Sequence, residues 1–185
     1  MSRTNEEFML DVFENLDVPE GVHVEFLNGE IVMMASATAI HNRTLVLLGG
    51  QFSADFDAMA TQGVRFSDFL DRPEPDLLVT AAGAVPGNPN EVPAEYALLV
   101  VEIVSPENQR RDLVDKRKIY ARGGIPCYLI VNPIVGRCTL LTLPDPAGRR
   151  YRASLEVDYG GKVPLPEPLG FDVDTARFQL YPPEK

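Results

Sequence analysis

Two apolar runs that end in ionisable residues constrain this chain more than any other feature. Pro75-Asp76 opens the run Leu77-Leu78-Val79, and Glu102 closes the run Ala97-Leu98-Leu99-Val100-Val101. Tyr96 to Val104 is too apolar to alternate, so it reads as a central strand buried on both faces. Ionised carboxylates at the ends of buried strands cost several kcal/mol unless something compensates them. Two that converge want a cation, and carboxylate oxygens are the ligands Mg2+ prefers. Lys116 follows on a stretch with helical patterning, where its amine could hold a phosphate or activate a water. The set suits metal-dependent phosphodiester chemistry.

Composition narrows the setting. A chain of 185 residues is long enough for a proper core, and one domain over 1–185 is expected. No run approaches the roughly 18 consecutive apolar residues of a membrane span. The polar, acidic opening Met1-Ser2-Arg3-Thr4-Asn5-Glu6-Glu7 has no signal-peptide pattern. Cys127 and Cys138 sit in apolar runs and read as small core residues, not as a disulfide framework or a zinc site. A cytoplasmic protein is expected. The formal net charge of -10 argues against easy nucleic-acid binding, because DNA affinity rests mainly on cations that neutralise phosphates. Local charge can differ: Arg110, Arg111, Lys116, Arg117, Lys118 and Arg122 crowd one helix, and bound divalent ions would cancel acidic charge.

Hydrophobic spacing predicts the elements. Asn5 to Leu16 reads as a short amphipathic helix. Val22 to Met34 reads as a hairpin, because Asn28-Gly29 is the pair a type I′ turn needs. Ile40 to Met59 spaces Leu45, Leu48, Phe52, Phe56 and Met59 as one helical face, weakened at Gly49-Gly50. Val64 to Phe69 and Leu77 to Thr80 read as strands, and Ala82 to Pro93 as a long loop. Gln109 to Arg122 is a helix ended by Gly123-Gly124, with Ser105 as an N-cap before Pro106. Cys127–Val131, Arg137–Leu143 and Arg150–Val157 are further strands, and a short helix is expected after Asp174. Strand, helix, strand from 96 to 131 implies one parallel pair. The fold class is therefore α/β or α+β, with a mixed sheet flanked by helices.

Pro75-Asp76, Val101-Glu102-Ile103-Val104-Ser105-Pro106, Asp112 and Lys116 with Tyr120, Gly124-Ile125-Pro126 and Tyr128-Leu129-Ile130-Val131 together resemble the Uma-two family. That family belongs to the PD-(D/E)XK restriction-endonuclease-like superfamily. Glu25-Phe26-Leu27-Asn28-Gly29-Glu30-Ile31 resembles its opening hairpin, and the resemblance runs over about 22–178. It implies a restriction-endonuclease-like core in which Asp76 and Glu102 ligate Mg2+ or Mn2+, with the Ile103 carbonyl as a further ligand. The superfamily's usual Lys position, two residues after the Glu, is Val104 here. Lys116 on the following helix fits the displaced role.

Each residue also has a plainer reading. Asp76 could be an ordinary strand-start residue, and Lys116 could pair with Asp112 on a helix surface for about 0.3–0.5 kcal/mol. Glu25 could be a third carboxylate near the metal or an exposed hairpin charge, and Glu30 reads as solvent-facing. His41 reads first as a helix-terminus polar residue, Tyr120 as core or a packing contact beside the site. Gln109, Arg110 and Arg111 could touch a phosphate backbone or simply be solvated.

The resulting expectation is a DNA endonuclease with Asp76, Glu102 and Lys116 as its catalytic set. Lys116 would orient or help deprotonate the attacking water. The alternatives are a nuclease-fold binding or regulatory module, and a hydrolase of another phosphate ester. No membrane partner is expected. A homodimer would suit a duplex cutter, since two strands need two sites.

Overall fold

The computed structural model describes residues 4–20, 22–34 and 37–183. Thr4 starts helix α1 (Asn5–Glu14) with a capping box: its hydroxyl accepts the Glu7 N–H, and the Glu7 carboxylate accepts the Thr4 N–H at 2.7 Å. Strands β1 (His23–Leu27) and β2 (Glu30–Met34) form the expected hairpin. Asn28 and Gly29 take φ of 51° and 81° at its turn, the left-handed geometry a type I′ turn requires.

Helix α2 (Ala39–Gly49) is shorter than the sequence spacing predicts. It stops at Gly49-Gly50, where each glycine costs about 1 kcal/mol relative to Ala. Phe56 and Met59, expected on its apolar face, lie instead on strand β3 (Phe56–Ala60). The stretch read as a strand over 64–69 shrinks to β4 (Gly63–Arg65), which pairs in parallel with β6 (Glu91–Pro93) inside the predicted loop. Between them runs β5 (Leu77–Ala81). The central strand β7 is Leu99–Ile103, shorter than expected because Tyr96 ends a 3-10 turn.

Beyond β7, a turn over 106–108 intervenes, so Ser105 does not cap the next helix. Helical geometry starts at Gln109, passes through a π-helical turn at Arg111–Asp115, and continues as α3 (Lys116–Arg122). Gly124 ends it with φ of 72°. Strands β8 (Cys127–Asn132), β9 (Arg137–Asp145) and β10 (Arg150–Asp158) follow, then the small pair β11 (Lys162–Pro164) and β12 (Asp172–Asp174). The helix expected after Asp174 is not formed. Gln51 clamps the Asp174 backbone into β12, and the tail leaves in a single turn.

Six strands make the central sheet in the order β10-β9-β8-β7-β5-β3, antiparallel except for β7 and β8. That parallel pair is the predicted crossover through α3. Side chains alternate along β7. Val100 packs with Tyr120, Tyr128 and Tyr151 on the α3 side. Leu99, Val101 and Ile103 pack with Leu48 of α2 and Val163 and Val173 of β11-β12 on the other. Glu102 shares the parity of Val100, so it points toward α3. Both cysteines are buried and free, as expected.

Candidate active site

Strand register creates the site. Leu77 pairs with Val101, Leu78 with Val100 and Val79 with Leu99. Continuing that register by one residue sets Asp76 opposite Glu102 at the end of the sheet, where directly opposed side chains are neighbours. The Ile103 N–H donates to Asp76 Oδ2 at 2.6 Å, which bolts the carboxylate across the two strands. His41 Nε2 lies 3.1 Å from Asp76 Oδ1. The second nitrogen, His41 Nδ1, is buried without a partner among the described residues.

Lys116 is the centre of the other half. Its Nζ lies 2.7 Å from Glu25 Oε1 and 2.8 Å from Glu102 Oε1, with the Glu74 carbonyl at 3.5 Å. Those three acceptors match the three donors of an ammonium. The Tyr120 hydroxyl donates to the same Glu102 oxygen at 2.7 Å. Glu25 Oε1 also accepts the Glu74 N–H at 2.7 Å, while Oε2 is buried without a partner among the described residues. The Tyr128 hydroxyl donates to the Asp112 carbonyl at 2.7 Å and fixes the π-helical turn that precedes Lys116.

Negative charge is in excess here. Burial works to lower the Lys116 pKa, but Glu102, Glu25 and Asp112 outweigh it and hold the amine charged. Burial raises the Glu102 pKa well above the usual carboxylate range, against the pull of Lys116. Asp112 is pushed up to about 7, mainly by burial, with Lys116 opposing and Asp76 and Glu25 adding repulsion. Burial also works to lower the His41 pKa, but the Asp76 carboxylate bonded to it leaves the imidazole raised. The groups surround a cleft of about 590 Å³ whose lining includes His23, His41, Glu74, Asp76, Glu102, Asp112, Lys116 and Tyr181.

Asp76, Glu102 and Lys116 therefore converge as the sequence suggests, and Tyr120 stands beside them. Two plainer readings are overturned. Glu25 is not an exposed hairpin charge: it is fully buried, because the bridge from Phe26 to Arg72 and the Asn28 N–H on Asp71 fold the hairpin over the sheet end. Asp112 and Lys116 do not form a surface pair, since both are buried. Glu25 binds Lys116 and the Glu74 amide instead of facing the cleft. His41 is drawn onto Asp76 and is not merely a helix-end residue, and Glu30 is exposed as expected. Glu74, paired with His23 at 2.7 Å, and Tyr181 escaped the sequence reading. Glu74 stands two residues before Asp76, a spacing that signals a shared strand end. Tyr181 carries no such signal, being brought in by the tail.

Residues 10–176 match the Uma2 family, described as "Putative restriction endonuclease". The chain belongs to the Uma2 family. A crystal structure of a "putative nuclease belonging to DUF820" from Anabaena variabilis is similar in fold, with a TM-score of 0.65 and 17% identity over 89% of this chain and 94% of that one. No curated protein matches. Family and fold together indicate a restriction-endonuclease-like nuclease. Among the described residues, no three His, Cys, Asp or Glu side chains form a ready-made metal cage. The Uma2 site nonetheless offers what a magnesium-type ion takes: one or two carboxylates, with water and phosphate completing the shell.

Proposed function

We propose that this chain is a metal-dependent endonuclease that hydrolyses DNA phosphodiester bonds in the cleft between Asp76, Glu102 and Lys116. The observation that carries this reading is the strand register, which opposes Asp76 and Glu102 beside a buried lysine. Asp76 and Glu102 would hold Mg2+ or Mn2+, with the Ile103 carbonyl as a further ligand. The bound ion would supply Lewis-acid stabilisation of charge developing on the phosphate and an acidified water. Asp76 is preset for its task by the Ile103 amide and by His41. Glu102 is held by Lys116 and Tyr120 through one oxygen. Lys116 first neutralises Glu25 and Glu102. For Lys116 to act on the water or the phosphate, one of its three protein bonds must give way.

The same saturation of Lys116 favours a second reading, a nuclease-fold binding or regulatory module with little turnover. The net charge of -10 agrees with it. Cleavage of supercoiled and single-stranded DNA at low salt, with Mg2+, Mn2+ or EDTA, separates the two. Metal-dependent nicking that falls to background in Glu102→Ala and in Asp76→Ala, both folded by circular dichroism, is expected. Wild-type cleavage by folded Glu102→Ala would sink the assignment. A calorimetric Mn2+ titration without binding at millimolar ion would favour the module.

A further inference from the structure

Strand β10 closes one end of the central sheet, with β9 as its sole strand partner among the described residues. It is nine residues long and keeps a single register with β9, interrupted only opposite Leu143, whose φ of 57° breaks the ladder at Arg152. An unpaired edge of this length is a template for another strand, and proteins usually blunt such edges. The sequence Arg150-Tyr-Arg-Ala-Ser154-Leu-Glu-Val-Asp158 has a particular symmetry. Arginines stand four and two residues before Ser154, and acids stand two and four residues after it. All five of these even-numbered residues lie on one exposed face of the strand.

Neighbouring charges leave each end incompletely neutralised. Asp145 is approached by both Arg150 and Arg152, at 3.4 and 3.8 Å. Arg137 binds both Glu156 and Asp158, at 3.0 and 2.8 Å. One end of β10 therefore keeps an excess cation and the other an excess anion. On the opposite face, Leu155 lies in line with buried Tyr151 yet is 42% exposed.

We propose that β10 is a homodimerisation edge, on which two copies pair antiparallel about a twofold axis at Ser154 and join their sheets. In that register Arg150 faces Asp158 of the second copy and Arg152 faces its Glu156, each pair occurring twice. Leu155 falls opposite Ala153 of the second copy and diagonal to its Leu155, which covers the exposed side chain. Moving the axis one residue either way leaves a single opposite-charge pairing, Arg150 with Glu156 or Arg152 with Asp158, so the charges select the register as well as the partner. The inference does not depend on catalysis.

Sedimentation at micromolar concentration should give twice the chain mass of 20.4 kDa, with dissociation favoured by high salt. The double variant Arg150→Glu/Arg152→Glu makes the edge wholly acidic, and Glu156→Arg/Asp158→Arg makes it wholly basic. Each alone should weaken the dimer about tenfold or more, and an equimolar mixture should restore it. Ser154→Cys places two thiols directly across the axis and should give a covalent dimer on mild oxidation. Arg152→Cys faces Glu156 and should cross-link far more slowly, and the native cysteines are buried. A wild-type monomer at all concentrations overturns the proposal. So does a dimer indifferent to both charge reversals, or one that cross-links no faster at 154 than at 152.

Discussion

Lys116 shows how the plainer of two sequence readings can fail on burial. Helical spacing from Asp112 suggests a solvated pair worth a fraction of a kcal/mol. The structure instead buries Lys116 to 1% exposure between Glu25 and Glu102. Removing one partner of a buried ion pair costs far more than the pair contributes, because the remaining charges cannot be solvated. Lys116→Met should therefore destabilise the protein by about 3–5 kcal/mol in urea unfolding. A loss under about 1 kcal/mol would mean that water or a cation reaches those carboxylates. The tight coupling also means that lost activity in this variant must be read beside its stability.

At the scale of elements, the helix after β7 does two jobs. The π-helical turn at Arg111–Asp115 precedes α3, whose first residue, Lys116, reaches Glu102. π-Turns inside helices often mark functional positions. The end of α3 lies so close to the loop before β5 that a Cβ on Gly123 would overlap the Phe66 ring. Phe66 itself stacks on Phe69 at 4.3 Å, and Arg122 lies over Phe69 at 4.0 Å, so the ring has little room to withdraw. Gly123→Ala should lower stability by about 1–3 kcal/mol, seen as a lower Tm. An unchanged Tm would show that the aromatic stack can shift. The α2 boundary teaches the complementary lesson. Phe52 and Phe56 keep helical spacing in sequence but lie beyond two glycines that end the helix, and they meet edge-on at 6.5 Å outside it.

For the whole molecule, charge sets the pH response. The pKa values of Glu102, Asp112 and His41 in the cleft all lie above their ordinary values. A group with a raised folded-state pKa binds its proton more tightly when folded. Its stabilisation is full below the unfolded value and fades as pH rises through the folded one. For Asp112 the window runs from 3.8 to about 7. Stability in EDTA should thus be higher at pH 5 than at pH 8, and Asp112→Asn should flatten the difference by roughly 1–3 kcal/mol. A net charge of -10 adds general self-repulsion in the same direction, which that single substitution cannot remove. A pH dependence unchanged in Asp112→Asn would place its cause outside this residue.

The hairpin, the buried central strand, the crossover through α3 and the convergence of Asp76, Glu102 and Lys116 were all legible in the chain. Each rests on a local signal: Asn-Gly chemistry, an apolar run, or an ionisable residue where an apolar one belongs. The resemblance carried by those motifs pointed to the right family. The burial of Glu25, the bond from His41 to Asp76, and the presence of Glu74 and Tyr181 in the cleft were decided by tertiary structure alone. These contacts join residues tens of positions apart, and the closure of the hairpin over the sheet end has no periodicity to announce it. Local patterning determines which elements form and which faces are apolar. Only packing those faces together determines which distant polar groups must share one buried volume, and therefore how many carboxylates one lysine has to neutralise.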